Sequence, residues 1–240
     1  MYNRAVIVGA TGGIGSALAR ELHARSPATE VFALARSLDR LDLPFALAVR
    51  CDVADEASIR AAAEEVARHG PVDLVIVASG ILAPAGSSGP EKNLRGLDPQ
   101  AMAQTMAVNA IGPALIAKHF LPLFSRDLRG VFAALSARVG SISDNRLGGW
   151  HSYRASKAAL NMLVRGAAIE LGRTHRRAIA VTLHPGTVDT ALSAPFQRGV
   201  APERLFSPQQ SAGYLLDVIN RLTPEQSGTC LAWDGAPIPF

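Results

Sequence analysis

Tyr153 and Lys157 stand four residues apart in the amphipathic stretch 151–174. On a helix that spacing puts both side chains on one face, where they can share a site. A phenol titrates at about pH 10, and an ammonium held beside it favours the phenolate, so the pair suits proton transfer at moderate pH. The chain has only three lysines, at 92, 118 and 157, against 21 arginines, which makes each lysine's position informative. A second chemical feature opens the chain. In Val6-Ile7-Val8-Gly9-Ala10-Thr11-Gly12-Gly13-Ile14-Gly15-Ser16-Ala17-Leu18 an apolar run breaks into glycines and resumes with helical patterning. Strand, glycine turn and helix make the first half of a βαβ unit, whose free helical N–H groups attract a phosphate. The spacing G-x-G-x-x-G does not fit, because Thr11 occupies its second glycine position. Gly9, Gly13 and Gly15 spell G-x-x-x-G-x-G, and Gly9, Gly12 and Gly15 spell G-x-x-G-x-x-G.

Positioning these groups takes a sheet. Apolar runs near 4–8, 30–35, 45–50, 72–78, 130–136, 178–184 and 228–233 alternate with helical stretches near 13–25, 55–69, 99–125, 151–174 and 208–221. That alternation predicts a parallel sheet with helices on both faces. Asp98-Pro99 and Ser207-Pro208 each offer a capping side chain followed by a proline pre-set for the first helical position. Pro113, inside the 99–125 stretch, should bend it. The loops 80–97 and 186–206 follow strand carboxyl ends, where open α/β sheets bind ligands, and are candidate walls of a substrate pocket.

Composition narrows the function classes. At 240 residues and 48% hydrophobic, the chain is expected to form a single domain, 1–240, around one sizeable core. Neither a secretory leader pattern nor an uninterrupted bilayer-length apolar run is read, so no membrane span is expected. Cys51 and Cys230 without a C-x-x-C pair fit a reducing cytoplasm and argue against a disulfide framework or a zinc cluster. The net charge of +4 includes no basic block, so nucleic acid is not an expected partner, and no metal-ligand spacing is present.

Tyr153-Arg154-Ala155-Ser156-Lys157 resembles the Y-x-[AS]-S-K signature of the short-chain dehydrogenases/reductases, and the likeness spans almost the whole chain. Asp52-Val53 resembles the segment whose Asp bonds adenine. Ala78-Ser79-Gly80 resembles the N-A-G turn, with Ala78 in place of Asn and Ser79 in place of Ala. Asn109 in Val108-Asn109-Ala110-Ile111-Gly112-Pro113 matches the helix Asn that holds a proton-relay water. Pro185-Gly186-Thr187-Val188-Asp189-Thr190 matches the P-G-x-V-x-T segment that cradles nicotinamide. Pro90-Glu91-Lys92, the segment 118–123 and the ending 234–240 resemble the branch of bacterial C-factor and sniffer-type carbonyl reductases, which usually ends in Trp where this chain has Phe240.

The resemblance implies a single-domain, Rossmann-like, doubly wound parallel sheet of about seven strands. It implies an NAD(P)-dependent oxidoreductase that moves hydride between a nicotinamide cofactor and a small carbonyl or alcohol, as a cytoplasmic homodimer or homotetramer. It selects Gly9, Gly13 and Gly15 as the phosphate turn, because too little chain follows Pro185 for the substrate domain of an extended epimerase. Thr11, Gly12 and Ile14 complete the cofactor turn, with Gly12 near the adenosine ribose phosphate. Tyr153 is then the proton donor, Lys157 lowers its pKa and holds ribose hydroxyls, and Asn109 links Lys157 to solvent through water. Arg36, just past the second strand, stands where an acidic residue would bind a ribose 2′-OH and where an arginine accommodates a 2′-phosphate, which favours NADP over NAD. The family's substrate-steadying serine is the second of S-S-x-x-G, and that position is Ala137 here. Ser136 and Ser141 both remain candidates: alignment leans to Ser136, while Ser141 lies 12 before Tyr153, close to the usual 13. The missing serine keeps an alternative open, a dinucleotide-binding sensor or C-factor-like signalling protein with little catalysis. Trp150, His151, Leu192 and Phe196 are candidate pocket-lining residues.

Overall fold

The computed structural model describes residues 2–87 and 89–240. The chain runs β1 (Arg4–Val8), α1 (Gly13–Arg25), β2 (Glu30–Ala35), β3 (Leu47–Arg50), α2 (Glu56–Ala67), β4 (Leu74–Val77), α3 (Pro99–Met106), α4 (Gly112–Phe120), β5 (Gly130–Leu135), α5 (His151–Thr174) and β6 (Ala178–His184). It continues through β7 (Thr187–Val188), β8 (Leu205–Phe206), α6 (Pro208–Arg221), β9 (Cys230–Ala232) and β10 (Pro237–Ile238). Eight strands form one sheet in the order β10-β9-β6-β5-β4-β1-β2-β3, parallel except for the antiparallel pair β9–β10. β7 and β8 pair separately. The central strands β4, β5 and β6 are nearly continuous hydrophobic runs because helices cover both their faces. Leu18 and Leu22 of α1 and Leu215 and Ile219 of α6 bury one face. Ile59 of α2, Ile116 and Phe120 of α4, and Leu160 and Val164 of α5 bury the other. Each such side chain contributes about 1.5–3 kcal/mol.

The strand order reverses between β1 and β4, and ligands of such sheets bind in the crevice at that reversal. Gly9 leaves β1 there and Ala78-Ser79-Gly80 leaves β4. The expected caps are present: Asp98 accepts the Ala101 N–H at 2.7 Å, and Ser207 and Gln210 form a reciprocal capping box.

Two features depart from the sequence reading. The sheet has eight strands, because β10 is two residues long and begins with a proline, too short to show a period. The expected helix 99–125 is divided by a widened π turn at Ala107–Ile111. Pro113 lacks an N–H and its ring would clash with the Asn109 carbonyl four residues back. The turn relieves this by one extra residue, with the Gly112 N–H donating to the Ala107 carbonyl five back. The segment Pro99–Leu123 is also long and apolar enough to cross a membrane by length and composition, with mean hydropathy 1.2. In this fold its Ile116, Ala117 and Phe120 pack into the core, while Ile111 is exposed.

Candidate active site

The glycines of the first turn answer to different neighbours. Gly9 has φ +84°, and a Cβ there would lie 2.7 Å from the Ser79 nitrogen. A Cβ on Gly15 would collide with the Gly9 carbonyl oxygen, so the helix can approach the turn only as glycine. Gly13 faces the Thr190 methyl, where a Cβ would come within 2.9 Å. The turn after β1 therefore meets the 185–190 segment. Gly12 caps α1 without a side chain, and no acidic residue sits in the first turn of that helix. Thr11 is exposed and Ile14 packs on the core edge. A cap that offers bare N–H groups, a positive-φ glycine and the Ser79 hydroxyl, buried without a partner among the described residues, fit a dinucleotide phosphate.

α5 brings Tyr153 and Lys157 to the same crevice. The Lys157 Nζ is buried, donates to the Leu135 carbonyl at 2.7 Å and lies 5.8 Å from the Tyr153 ring centroid. A Cβ on Gly80 would stand 3.3 Å from the Asn109 Oδ1 and 3.6 Å from the Lys157 Nζ, so these three residues converge. Burial disfavours the charged form of each group. It pushes Tyr153 up to about 12 and Lys157 down to about 8, so the lowering of the tyrosine expected from the lysine beside it is not found: burial of the phenol dominates. Asn109, presented by the π turn, accepts the Ile81 N–H at 2.8 Å and donates to the Ile81 carbonyl at 2.8 Å and to the Ser156 Oγ at 3.1 Å. The Ser156 hydroxyl in turn donates to the Tyr153 carbonyl at 2.8 Å.

The two candidate serines differ in where their protons go. Ser136 donates to the Asn161 Oδ1 at 2.8 Å, one helical turn beyond Lys157. Ser141 accepts the Asp144 N–H at 3.1 Å, and among the described residues its hydroxyl donates to none. It follows Gly140, where a Cβ would lie 2.7 Å from the Lys157 Cβ.

At the strand ends, Asp52 accepts the Ala54 N–H at 3.0 Å, and the Val53 carbonyl lies 2.6 Å from where a Gly112 Cβ would stand. Ala78 donates its N–H to the Val8 carbonyl at 2.8 Å. Arg36 is exposed just past β2 and joins no ion pair among the described residues. The Pro185 carbonyl accepts the Ser211 hydroxyl at 2.9 Å. Gly186 has φ +80° beneath the Phe206 ring, Val188 is buried, and Thr190 donates to the Val188 carbonyl at 3.4 Å.

The Trp150 ring lies 6.2 Å from Tyr153 and 4.6 Å from Phe196, which brings loop 186–206 over the tyrosine. His151 opens α5, and Leu192 stays exposed. Two participants escaped the sequence reading, the Leu135 carbonyl and Glu91. Glu91 accepts the Ser152 N–H at 3.2 Å and the Ser152 hydroxyl. The available signal was an absence, since no capping residue type stands immediately before His151.

The family model described as short chain dehydrogenase matches residues 3–200. C-signal from Myxococcus xanthus is 35% identical over 171 residues, covering 71% of this chain and 94% of that protein. The 1-hydroxy-2-glutathionyl-2-methyl-3-butene dehydrogenase of a Rhodococcus species is 30% identical over 233 residues, 96% of each. Among solved structures, the NADPH-bound carbonyl reductase from chicken fatty liver is 29% identical with TM-score 0.86 over 99% of both chains. The carbonyl reductase Sniffer of D. melanogaster, 22% identical with TM-score 0.85 over all of both chains, shares the fold. These relatives do not favour the non-catalytic alternative. The chain belongs to the short-chain dehydrogenase family and is an oxidoreductase that moves hydride between a nicotinamide cofactor and a small carbonyl or alcohol substrate.

Proposed function

We propose that this protein is a cytoplasmic, NADP-dependent reductase of small carbonyl compounds. The observation that carries the reading is a buried phenol, kept protonated, beside a buried ammonium at the end of a parallel sheet, across from a phosphate-binding glycine turn. Gly9, Thr11, Gly12, Gly13, Ile14 and Gly15 would hold the pyrophosphate and Arg36 the 2′-phosphate. Asp52 and Val53 would hold the adenine. Ala78, Ser79 and Gly80 would pass beneath the cofactor, and Pro185, Gly186, Val188 and Thr190 would hold the nicotinamide. The NADPH-bound relative supports the choice of cofactor. When bound, the cofactor supplies hydride to the carbonyl carbon. Tyr153 gives its proton to the carbonyl oxygen, and the Lys157 ammonium stabilises the phenolate left behind. Ser141, whose proton is not committed elsewhere, steadies the substrate oxygen, and Asn109 leads the replacement proton in through water.

The reading includes a homodimer or homotetramer. Met162 and Leu163 are exposed along an open groove of about 740 Å³ between α4 and α5, a surface suited to a second copy. Cys51 and Cys230 are unpaired and buried, in keeping with a reducing compartment. The test follows NADPH oxidation across a panel of aldehydes and ketones with the wild type and Tyr153→Phe. The wild type should turn over on the order of 1–10³ per second on its preferred substrate. The variant should lose turnover and keep its NADPH affinity. Equal turnover in the two proteins would sink the assignment.

A further inference from the structure

We propose that Glu91 is a positioning residue for Tyr153, supplying from a distant loop the N-terminal cap that α5 lacks. The inference rests on the reading of Tyr153 as the proton donor. The first N–H groups of a helix need partners, usually given by Ser, Thr, Asp or Asn at the cap. The cap position of α5 is Trp150, which makes no side-chain cap bond. Among the described residues it is the only non-glycine with a left-handed backbone, φ +52°, and its ring is spent on Tyr153 and Phe196.

Glu91 takes over, 61 residues before Ser152. Its carboxylate accepts the Ser152 N–H and hydroxyl, and its carbonyl accepts the Trp150 N–H at 2.5 Å. Burial disfavours the anion, but the bonds from Ser152 and from the Glu91 N–H, with His151 nearby, together hold Glu91 below the usual carboxylate range. An anion here also meets the positive end of a 24-residue helix. A Cβ at Gly149, where φ is +64°, would stand 3.2 Å from the Lys92 carbonyl, so residues 91–92 run directly against the backbone that opens α5.

The same loop is tied at its other end. Ile81 is clamped by Asn109, which reaches the Tyr153 carbonyl through Ser156. Loop 80–97 therefore grips the first two turns of α5 on both sides of Tyr153. Without the Glu91 bonds the first turn frays and the Tyr153 hydroxyl moves, while Lys157, a turn further on, keeps its bond to the Leu135 carbonyl. The loss then falls on proton transfer and not on cofactor binding.

The test compares Glu91→Ala, Glu91→Gln and Ser152→Ala in the full chain, by NADPH oxidation, NADPH fluorescence titration and hydrogen exchange read by mass spectrometry. Glu91→Ala should lower kcat about 10- to 100-fold, as small displacements of a reacting group do, with KM and the NADPH Kd within about twofold of wild type. Glu91→Gln keeps an oxygen acceptor and should stay within about threefold of wild type, and Ser152→Ala should fall between the two. Amides 150–156 should exchange fastest in Glu91→Ala, with Ser152→Ala between it and the wild type and Glu91→Gln close to wild type. Wild-type kcat in Glu91→Ala, unchanged exchange at 150–156, or a kcat loss matched by equal loss of NADPH binding each overturns the proposal. A wild type inactive on every carbonyl would instead refute the proposed reaction, and the exchange data would still decide the cap.

Discussion

Replacing Lys157 by Met should separate activity from stability. The Lys157 Nζ is 5.8 Å from the Tyr153 ring centroid. At an effective dielectric constant of about 20, unit charges that far apart interact by about 3 kcal/mol. That equals about two pKa units, or roughly 100-fold in the phenolate that proton donation leaves behind. Turnover of Lys157→Met should fall by about that factor. Stability should move the other way. Folding takes Lys157 from 10.5 to about 8. The unfolded chain therefore holds more protons between those values, and stability rises with pH across that window. Below about pH 8 the full cost is present, about 3 kcal/mol at 1.36 kcal/mol per unit. Methionine removes this cost but strands the Leu135 carbonyl, which costs about 1–3 kcal/mol. At neutral pH the variant should thus be as stable as wild type or up to about 2 kcal/mol more stable, and above about pH 10.5, where the wild type no longer carries the cost, it should be about 1–3 kcal/mol less stable. The assays are NADPH oxidation over a pH series and urea melts at matched pH. Wild-type kcat/KM should decline as pH rises through about 8, where the ammonium is lost although Tyr153 keeps its proton to about 12, and the variant should lack that limb. Turnover in the variant within about threefold of wild type, or a clear loss of stability at neutral pH, would refute the reasoning.

Arg36→Ala should weaken NADPH binding about 10- to 100-fold, because bonds to a charged phosphate contribute about 1.5–3 kcal/mol, and should leave NADH unchanged in a fluorescence titration. Equal losses for both cofactors would show that Arg36 does not read the 2′-phosphate. Ser141→Ala should lower kcat by about 100-fold, the usual cost of losing an oxyanion donor. Ser136→Ala should instead lower the urea midpoint, by about 1–3 kcal/mol of stability, because it strands Asn161; the reverse pattern would reassign the two serines. Asn109→Ala leaves both polar groups of Ile81 without their side-chain partner and should cost at least about 2 kcal/mol in a urea melt, with an unchanged m-value.

What could be read in advance was whatever depends on near neighbours in the chain. The strand and helix alternation, the Asp98 and Ser207 caps and the Tyr153–Lys157 pair all arise within a few residues, where period and spacing act directly. The π turn was not legible: Pro113 announces a bend, but where the extra residue falls is tied to the bonds Asn109 makes with Ile81, 28 residues earlier. The serine could not be resolved by alignment for a similar reason. Ser136 continues β5 on the face covered by α5, so its hydroxyl meets Asn161, while Ser141 lies beyond the turn that packs Gly140 on Lys157. The cap from Glu91 is more remote still, since Trp150 says only that α5 is uncapped locally.

The clamps that hold this site share a chemistry that bears on how far the family pattern can drift. Lys157 donates to the Leu135 carbonyl, Asn109 grips both polar groups of the Ile81 backbone, and Glu91 takes the N–H of Ser152 and gives its own carbonyl to Trp150. In each of these bonds at least one partner is main chain, which survives substitution so long as the local path is kept; only the added bonds to the Ser152 and Ser156 hydroxyls join two side chains. Ala137 in place of a serine, and Ala78-Ser79 in place of Asn-Ala, therefore leave every one of these clamps in place. Changes of path are different. A side chain at Gly15 or Gly140 would press on the Gly9 carbonyl or the Lys157 stem and move the turns themselves. For this architecture, substitution at those glycines should disturb both cofactor binding and catalysis, whereas exchanges at 78, 79 and 137 should change rates without dismantling the site.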